Sequence, residues 1–323
     1  PTFVIAIDTV TLDPRKVTAL DLDGVCTCDS RPGAFDDGGP RCQTATVTCD
    51  EDGGADNSLG AVAEVTASKV GIETVANRLI ANGHRTVLLQ IQKYNGLAND
   101  DEVRVGTMLA EGIHSQSCPS SVLDPATKRW SAGRCGDDAW AVNPASLVGS
   151  VPLVVGTGYV RDHRLVVARL NNAVPLPFND ESTLNFRLPV LTGQLVPLGE
   201  DLMPRDPTRA PTEKEKRLFR LDNGSLAGRV LAAEGVAAIG TYLQSNGTRL
   251  CTSPGFGLIH DSVCASADIQ GKPLVPDDPT RGCDALSAAL GFTAIPAVTS
   301  FVSDAGPPPT GCESVDAAAF ACP

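Results

Sequence analysis

Residues 86–110, TVLLQIQKYNGLANDDEVRVGTMLA, decide the class of fold. Val87, Leu89 and Ile91 fall on alternate positions, and Val103, Val105, Thr107 and Leu109 repeat the pattern after a polar interruption. A period of two is the signature of a strand with one buried face. The intervening Asn95-Gly96 and the acidic run Asn99-Asp100-Asp101-Glu102 supply turn chemistry between the two runs. The segment therefore predicts a β-hairpin with a long acidic loop.

Working downstream, further strands are expected at Trp140 and Val142, Val151–Val155, Tyr159–Val160 and Leu165–Leu170, with Asp162-His163 as the tight turn before the last of these. Leu184, Phe186 and Leu188 alternate, and Val190–Leu198 continues in that style. Leu218–Leu221 and Leu226–Gly228 read as two short strands around the turn Asp222-Asn223-Gly224. Upstream, Thr2–Leu12 is β-branched and apolar with a polar break at Asp8, a buried strand that Asp13-Pro14 ends.

Helical spacing appears over residues 58–83, where Gly71 can interrupt the helix and Gly83 fits a C-cap; it appears again over Val230–Leu243 and Phe256–Ile269. Asp284–Phe292 is ambiguous but leans to strand. The stretch 199–217 is Pro-rich and charged, an exposed loop, and 306–323 is a Pro-rich tail tied back by a Cys312–Cys322 bridge.

About ten short strands and two or three helices predict a mainly β (α+β) fold, an antiparallel β-sandwich of jelly-roll type with inserted helices and disulfide-stapled loops. We expect one exported domain over 1–323: acidic Cys-rich loops at 13–57, a helix at 58–83, the sandwich core at 84–228, then helices, a last strand and the tied tail at 229–323. Regular strand–helix alternation, which a Rossmann reading needs, is missing from the middle of the chain.

The 323 residues carry a net charge of −12 and a pI near 4.7, which argues against a nucleic-acid partner, because phosphate binding needs clustered Lys and Arg. No run of apolar residues is long enough for a membrane span. Aromatics make up only 4%, so the core must be built from Val, Leu, Ile and Ala.

Eleven cysteines (Cys26, Cys28, Cys42, Cys49, Cys118, Cys135, Cys251, Cys264, Cys283, Cys312 and Cys322) sit in loops rich in Gly, Pro and Ser. This density fits disulfides in an oxidising exterior, and the absence of an initiator Met fits a mature exported protein, with a trimmed lipid anchor allowed. Zinc is disfavoured: Cys26-Thr27-Cys28 has the wrong spacing, and no histidine is near. Cys26 and Cys28 are expected to reach Cys42 and Cys49 in some order, and Cys118 to pair with Cys135. An odd count leaves one cysteine free or paired outside the chain.

The acidic stretch 21–57 holds nine acids against Arg31 and Arg41. Asp21-Leu22-Asp23-Gly24, with Asp50, Asp52, Asp56 and Asn57 and with Asp29, Asp36 and Asp37 in reserve, is the kind of oxygen-rich set that calcium takes. It is no EF-hand: Gly24 comes too early, and no Glu stands at the twelfth position. Asn57 or Ser58 also suits a helix N-cap. Asn99–Glu102 offers a further acidic loop. His84, His114, His163 and His260 are scattered, and neither a Gly-x-Ser-x-Gly elbow nor a phosphate loop is present. Asn223-Gly224-Ser225 and Asn246-Gly247-Thr248 are sequons, meaningful only in a eukaryotic secretory route.

The succession LDLDG (20–24), a cysteine pair, GADNSLG (54–60), LLQIQKYNGLANDDEV (88–103), GYVRDHRLVV (158–167), NGSLAGR (223–229) and CDALSAALGF (283–292) resembles an uncharacterised family of exported, often lipid-anchored proteins of myxobacteria and relatives. That resemblance implies an extracellular or cell-surface location and no activity. GYVRDHRLVV is also similar to laminin-G/concanavalin-type sandwiches, which implies calcium and glycan binding at loop ends. The expected function is accordingly a non-catalytic cell-surface protein, an adhesion, glycan-binding or assembly subunit, with a glycan or a neighbouring surface protein as partner. Self-assembly through the Thr2–Leu12 strand is a further expectation. The alternative is a secreted glycan hydrolase using a carboxylate pair.

Overall fold

The computed structural model describes residues 2–13, 16–24, 27–28, 42–44, 49–50, 55–66, 71–198, 219–244, 247–272, 280–303, 312 and 320–322. In chain order the elements are β1 (Thr2–Thr11), α1 (Ser58–Thr66), α2 (Ile72–Ala81), β2 (Thr86–Gln92), β3 (Asp100–Ile113), β4 (Ala139–Val142), β5 (Leu147–Val148), β6 (Val151–Pro152), β7 (Val154–Arg161), β8 (Arg164–Val167), β9 (Val174–Pro177), β10 (Thr183–Pro197), β11 (Phe219–Leu231), α3 (Ala232–Gly240), α4 (Phe256–Ala265) and β12 (Ala285–Val302). The loop expected at 199–217 and the sequon residue Asn246 lie outside the described residues, as does most of the 306–323 tail.

The jelly-roll sandwich is not what forms. Strands β1, β2, β3, β7, β8, β10, β11 and β12 each pair antiparallel with the next, and β12 pairs back onto β1, which closes an eight-stranded up-and-down barrel. Closure removes every free edge from this wall. The correction has a physical origin in strand length. β10, β11 and β12 run 15, 13 and 18 residues, so each coils far enough round to meet a neighbour on both sides. The two short strands expected around Asp222-Asn223-Gly224 are one strand, β11. Asn223 takes φ 48°, and the register slips by one residue between Leu221 and Gly224, so the Asn-Gly pair makes a bulge and not a reversal. Asp162 and His163, at φ 48° and 63°, do make the tight turn between β7 and β8.

A second closure shares part of this wall. β4 pairs with the C-terminal half of β3 on one side and runs parallel to the end of β12 on the other, so β1, β2, β3, β4 and β12 form a smaller ring. Inward residues of the large barrel (Ile5, Leu89, Ile91, Val105, Val160, Leu165, Leu195, Leu221, Leu290) make one core. Ala6, Leu88, Met108, Trp140, Val142 and Ala297 make a separate core inside the small ring.

One end of the barrel is closed by Phe3, Tyr94 and Phe219, with ring centroids 5.4 Å apart for the two pairs that involve Phe219. The four helices extend the core at the other end. There Gly71 (φ 52°) precedes α2, and Gly83 ends it: the Gly83 N–H donates to Ile80 O and the His84 N–H to Leu79 O. Gly83 has φ 65°, and a Cβ there would lie 1.9 Å from Trp130 O, so no other residue fits.

The N-terminal strand lies between β2 and β12 of its own barrel. Both its edges are used, and the case for self-assembly through Thr2–Leu12 goes with them.

Candidate acidic cation site

Five disulfides join Cys28–Cys49, Cys42–Cys283, Cys118–Cys135, Cys251–Cys312 and Cys264–Cys322. The Cys118–Cys135 expectation holds. Cys42 reaches across to Cys283 just ahead of β12 instead of pairing within its own cluster, and Cys312 and Cys322 bond to separate partners, Cys251 ahead of α4 and Cys264 in its last turn, instead of to each other. Cys26 and Asp52 lie outside the described residues, together with Asp29, Asp36 and Asp37.

The acidic loop is laid onto the outer wall of the barrel. Small residues on β11 and β12 make room for it: Ala227 and Ala289 pack against Val17, Ala19, Leu20 and Leu22, and a Cβ at Gly291 would sit 2.8 Å from the Thr11 methyl. Polar ties fix the register. Ser225 Oγ donates to Thr18 O at 2.7 Å, and the buried guanidinium of Arg229 on β11 donates to Leu22 O at 2.7 Å and to Gln270 O at 2.5 Å.

Leu20 pairs with Asp56 as a short antiparallel bridge, and Leu22 N–H donates to Asp56 Oδ2 at 2.6 Å. These contacts bring Asp21, Asp23 and Asp56 together with carboxylate oxygens all within 4.8 Å of one another. Asp21 is exposed, Asp23 half-buried and Asp56 buried. Asp50 joins them. It receives Thr27 N–H at 2.5 Å, and its carboxyl is hydrogen-bonded to that of Asp56.

Like charges so placed cannot all ionise in a dry setting. Burial, with the charges of Asp23, Asp50 and Asp268 added, pushes the Asp56 carboxyl up to about 9 against the pull of the Leu22 amide. Asp50 is also raised, chiefly by burial. Such a cluster holds either a proton or a cation. All its donors are hard carboxylate oxygens at short mutual distance, which fits calcium or magnesium better than a soft or borderline metal, with the remaining positions left to water and backbone carbonyls.

Asn57 stands aside. Its Oδ1 accepts Gly60 N–H at 3.2 Å as the N-cap of α1, and Ala289 N–H at 3.0 Å from β12. It clamps the helix to the barrel and is withdrawn from the ligand set. Two residues that sequence reasoning passed over support the cluster. Arg229 is one; the other is Asp268, which receives Ser58 Oγ, Ser287 N and Ser287 Oγ at 2.9, 2.8 and 2.5 Å and whose carboxyl is raised by burial. Neither sits in an acidic or repeated motif, so no local signal marks them.

The other acidic loop is neutralised by its own surroundings. Asp100 caps Asn95 N–H and Glu102 N–H, Asp101 meets Arg161, and Glu102 meets Lys93. A glycan hydrolase needs two carboxyls about 5–10 Å apart across a cleft. Among the described residues, a cavity of about 370 Å³ beside β10 and α3 is lined by one, Glu234, and Arg187 holds it. Among the described residues no helix is long and apolar enough to cross a membrane.

Compared with known proteins, the chain matches no protein-family model, no curated protein and no solved structure.

Proposed function

We propose that this chain is an exported, non-catalytic surface protein, an adhesion or assembly subunit, in which the acidic cluster on the barrel wall binds calcium. The observation that carries the reading is the convergence of Asp21, Asp23 and Asp56 within 4.8 Å, with Asp56 buried. A carboxylate group buried among its like is unfavourable unless a positive charge joins it. The five disulfides support an oxidising exterior, where calcium is abundant enough for a weak site. The barrel supports a display role: its wall has no free edge, and its interior is filled by side chains, so ligands meet the loops and outer surface.

Thermal melting in calcium and in chelator tests this. A ligand bound only by the native state at a hundredfold excess over Kd stabilises it by about 2.7 kcal/mol, a shift of a few degrees for a chain of this size. The gain should vanish in Asp21→Asn/Asp23→Asn. Equal midpoints in calcium and chelator across neutral and alkaline pH would dispose of the cation.

A further inference from the structure

A different site lies at the helical end of the barrel. Thr183, Asn185 and Arg187 alternate on the outer face of β10, while Leu184 and Phe186 point into the core. Glu234, Ala237, Ala238 and Thr241 repeat at helical spacing along the facing side of α3 and its C-cap. Thr183 and Asn185 of the first row and all four residues of the second wall the 370 Å³ cavity, and Phe320 lines it beside Cys312 of the Cys251–Cys312 bridge. The alanines leave the space; a larger side chain at 237 would fill it.

We infer that this cavity is a binding site for one neutral pyranose unit of a saccharide. Size comes first: the volume is at the small end of ligand sites, room for a single ring and its substituents. Charge comes second. Among the described residues the one carboxylate in the lining, Glu234, is paired with Arg187 Nη2 at 2.5 Å and touched by Asn185 Nδ2 at 3.4 Å, so these described walls are neutral overall and offer no free cation to a phosphate or carboxylate.

The third argument is which polar groups remain available. Ser182 and Thr241 are occupied with each other and with Ala238 O and Asn179 Nδ2, at 3.1, 2.7 and 2.8 Å for the Thr241 contacts. They stiffen the wall. The Thr183 hydroxyl and Asn185 Oδ1 meet no protein partner among the described residues. An amide and a hydroxyl that each donate and accept, beside a carboxylate that only accepts, match a row of ligand hydroxyls. Ala237, Ala238 and the Phe320 ring, which stands edge-on to Phe256 at 5.9 Å, offer an apolar surface to the C–H face of a sugar ring.

Saturation-transfer NMR on the intact chain, with methyl α-D-glucopyranoside, methyl β-D-galactopyranoside and N-acetyl-D-glucosamine as separate probes, tests the assignment. At least one should give transfer at millimolar concentration. Thr183→Val/Asn185→Ala, which strips the free polar groups, should weaken it about tenfold or more. Ala237→Phe, at a half-exposed position, should abolish it by filling the space while leaving the melting midpoint near that of the parent. Asp56→Asn should leave binding unchanged, which separates this site from the cation cluster. No transfer from any of the three sugars overturns the proposal, as does transfer that survives Ala237→Phe in a folded protein.

Discussion

Arg85–Glu111 and the Asp21–Asp23–Asp50–Asp56 cluster both place charge out of water, and the fold settles them by different means. Arg85 stands just ahead of β2 and Glu111 near the end of β3, and their side chains meet 3.8 Å apart and almost wholly buried. Protein groups take up part of their remaining valence, while Arg85 Nε and Glu111 Oε2 are buried with no hydrogen-bond partner among the described residues. Arg85 Nη1 donates to Asn179 O and Ser182 O at 2.8 and 3.1 Å, and Asn143 Nδ2 donates to Glu111 Oε1 at 2.6 Å. Burial lowers the Arg85 guanidinium while Glu111 and Asp180 hold it up. Among the described residues, Arg229 is the cation tied to the loop that carries the acidic cluster, and its guanidinium is spent on the Leu22 and Gln270 carbonyls. One charge group carries its counter-charge within the chain; in the other, carboxylate faces carboxylate, which a proton or an ion from outside relieves. The first is architecture, and the second responds to solution conditions.

The widest break in this contrast is expected from Arg85→Ala, which strands Glu111 in a dry site. It should cost about 3–5 kcal/mol in denaturant unfolding. Arg85→Met with Glu111→Leu should recover most of that, because two apolar groups leave no unpaired charge. A double mutant no better than the single would mean that packing and not charge sets the cost.

Next in size is the staple. Cys42→Ala/Cys283→Ala unties the acidic loop from the approach to β12 and should cost about 2–4 kcal/mol. Calcium stabilisation should weaken with it. Retention of the full calcium effect would show that the wall contacts of Val17–Leu22 alone hold the cluster.

The smallest effect sharpens the comparison most. Asp56 ionises at an ordinary 3.8 when unfolded but holds its proton to about 9 when folded. Between those values the native state binds more protons than the unfolded state, so in chelator the stability falls as pH rises from about 4 to about 9, by at most about 1.4 kcal/mol per pH unit. Asp56→Asn mimics the protonated form and keeps an acceptor for Leu22 N–H. It should flatten that slope, stabilise the chelated protein at pH 8, and abolish the response to calcium. Calcium competes with the proton, so its effect in the parent should grow with pH. A pH-stability curve identical in parent and variant would return Asp56 to ordinary titration.

Sequence reading succeeded where the determinants are local. The β2–β3 hairpin, the turn at Asp162-His163 and the stop at Gly83 depend on residues within a few positions of one another. Closure of the barrel rests on Val4 opposite Ala297, a pairing that leaves no trace in any window. β12 gave only a lean to strand, for a related reason. Leu286, Ala288, Leu290 and Phe292 face the large core, while Ser287, Ala289 and Gly291 lie under the acidic loop and α1, so both faces are covered and the alternation is weak. The carboxylates of the candidate site were legible, and Asp21, Asp23 and Asp56 do lie together; hidden from the sequence were the wall that brings residues 21–23 and 50 to Asp56 and the part played by Asp268.

That wall has one further consequence. β1 and β2 belong to both closures, with Ile5 and Leu89 facing one core and Ala6 and Leu88 the other. Neither ring can open at these strands without the other losing its wall, so the two cores should unfold as one cooperative unit. Amide hydrogens of β1 and β2 would then exchange only through global opening and be the slowest in the molecule, while those of β5 and β6, a hairpin of two residues a side, exchange first.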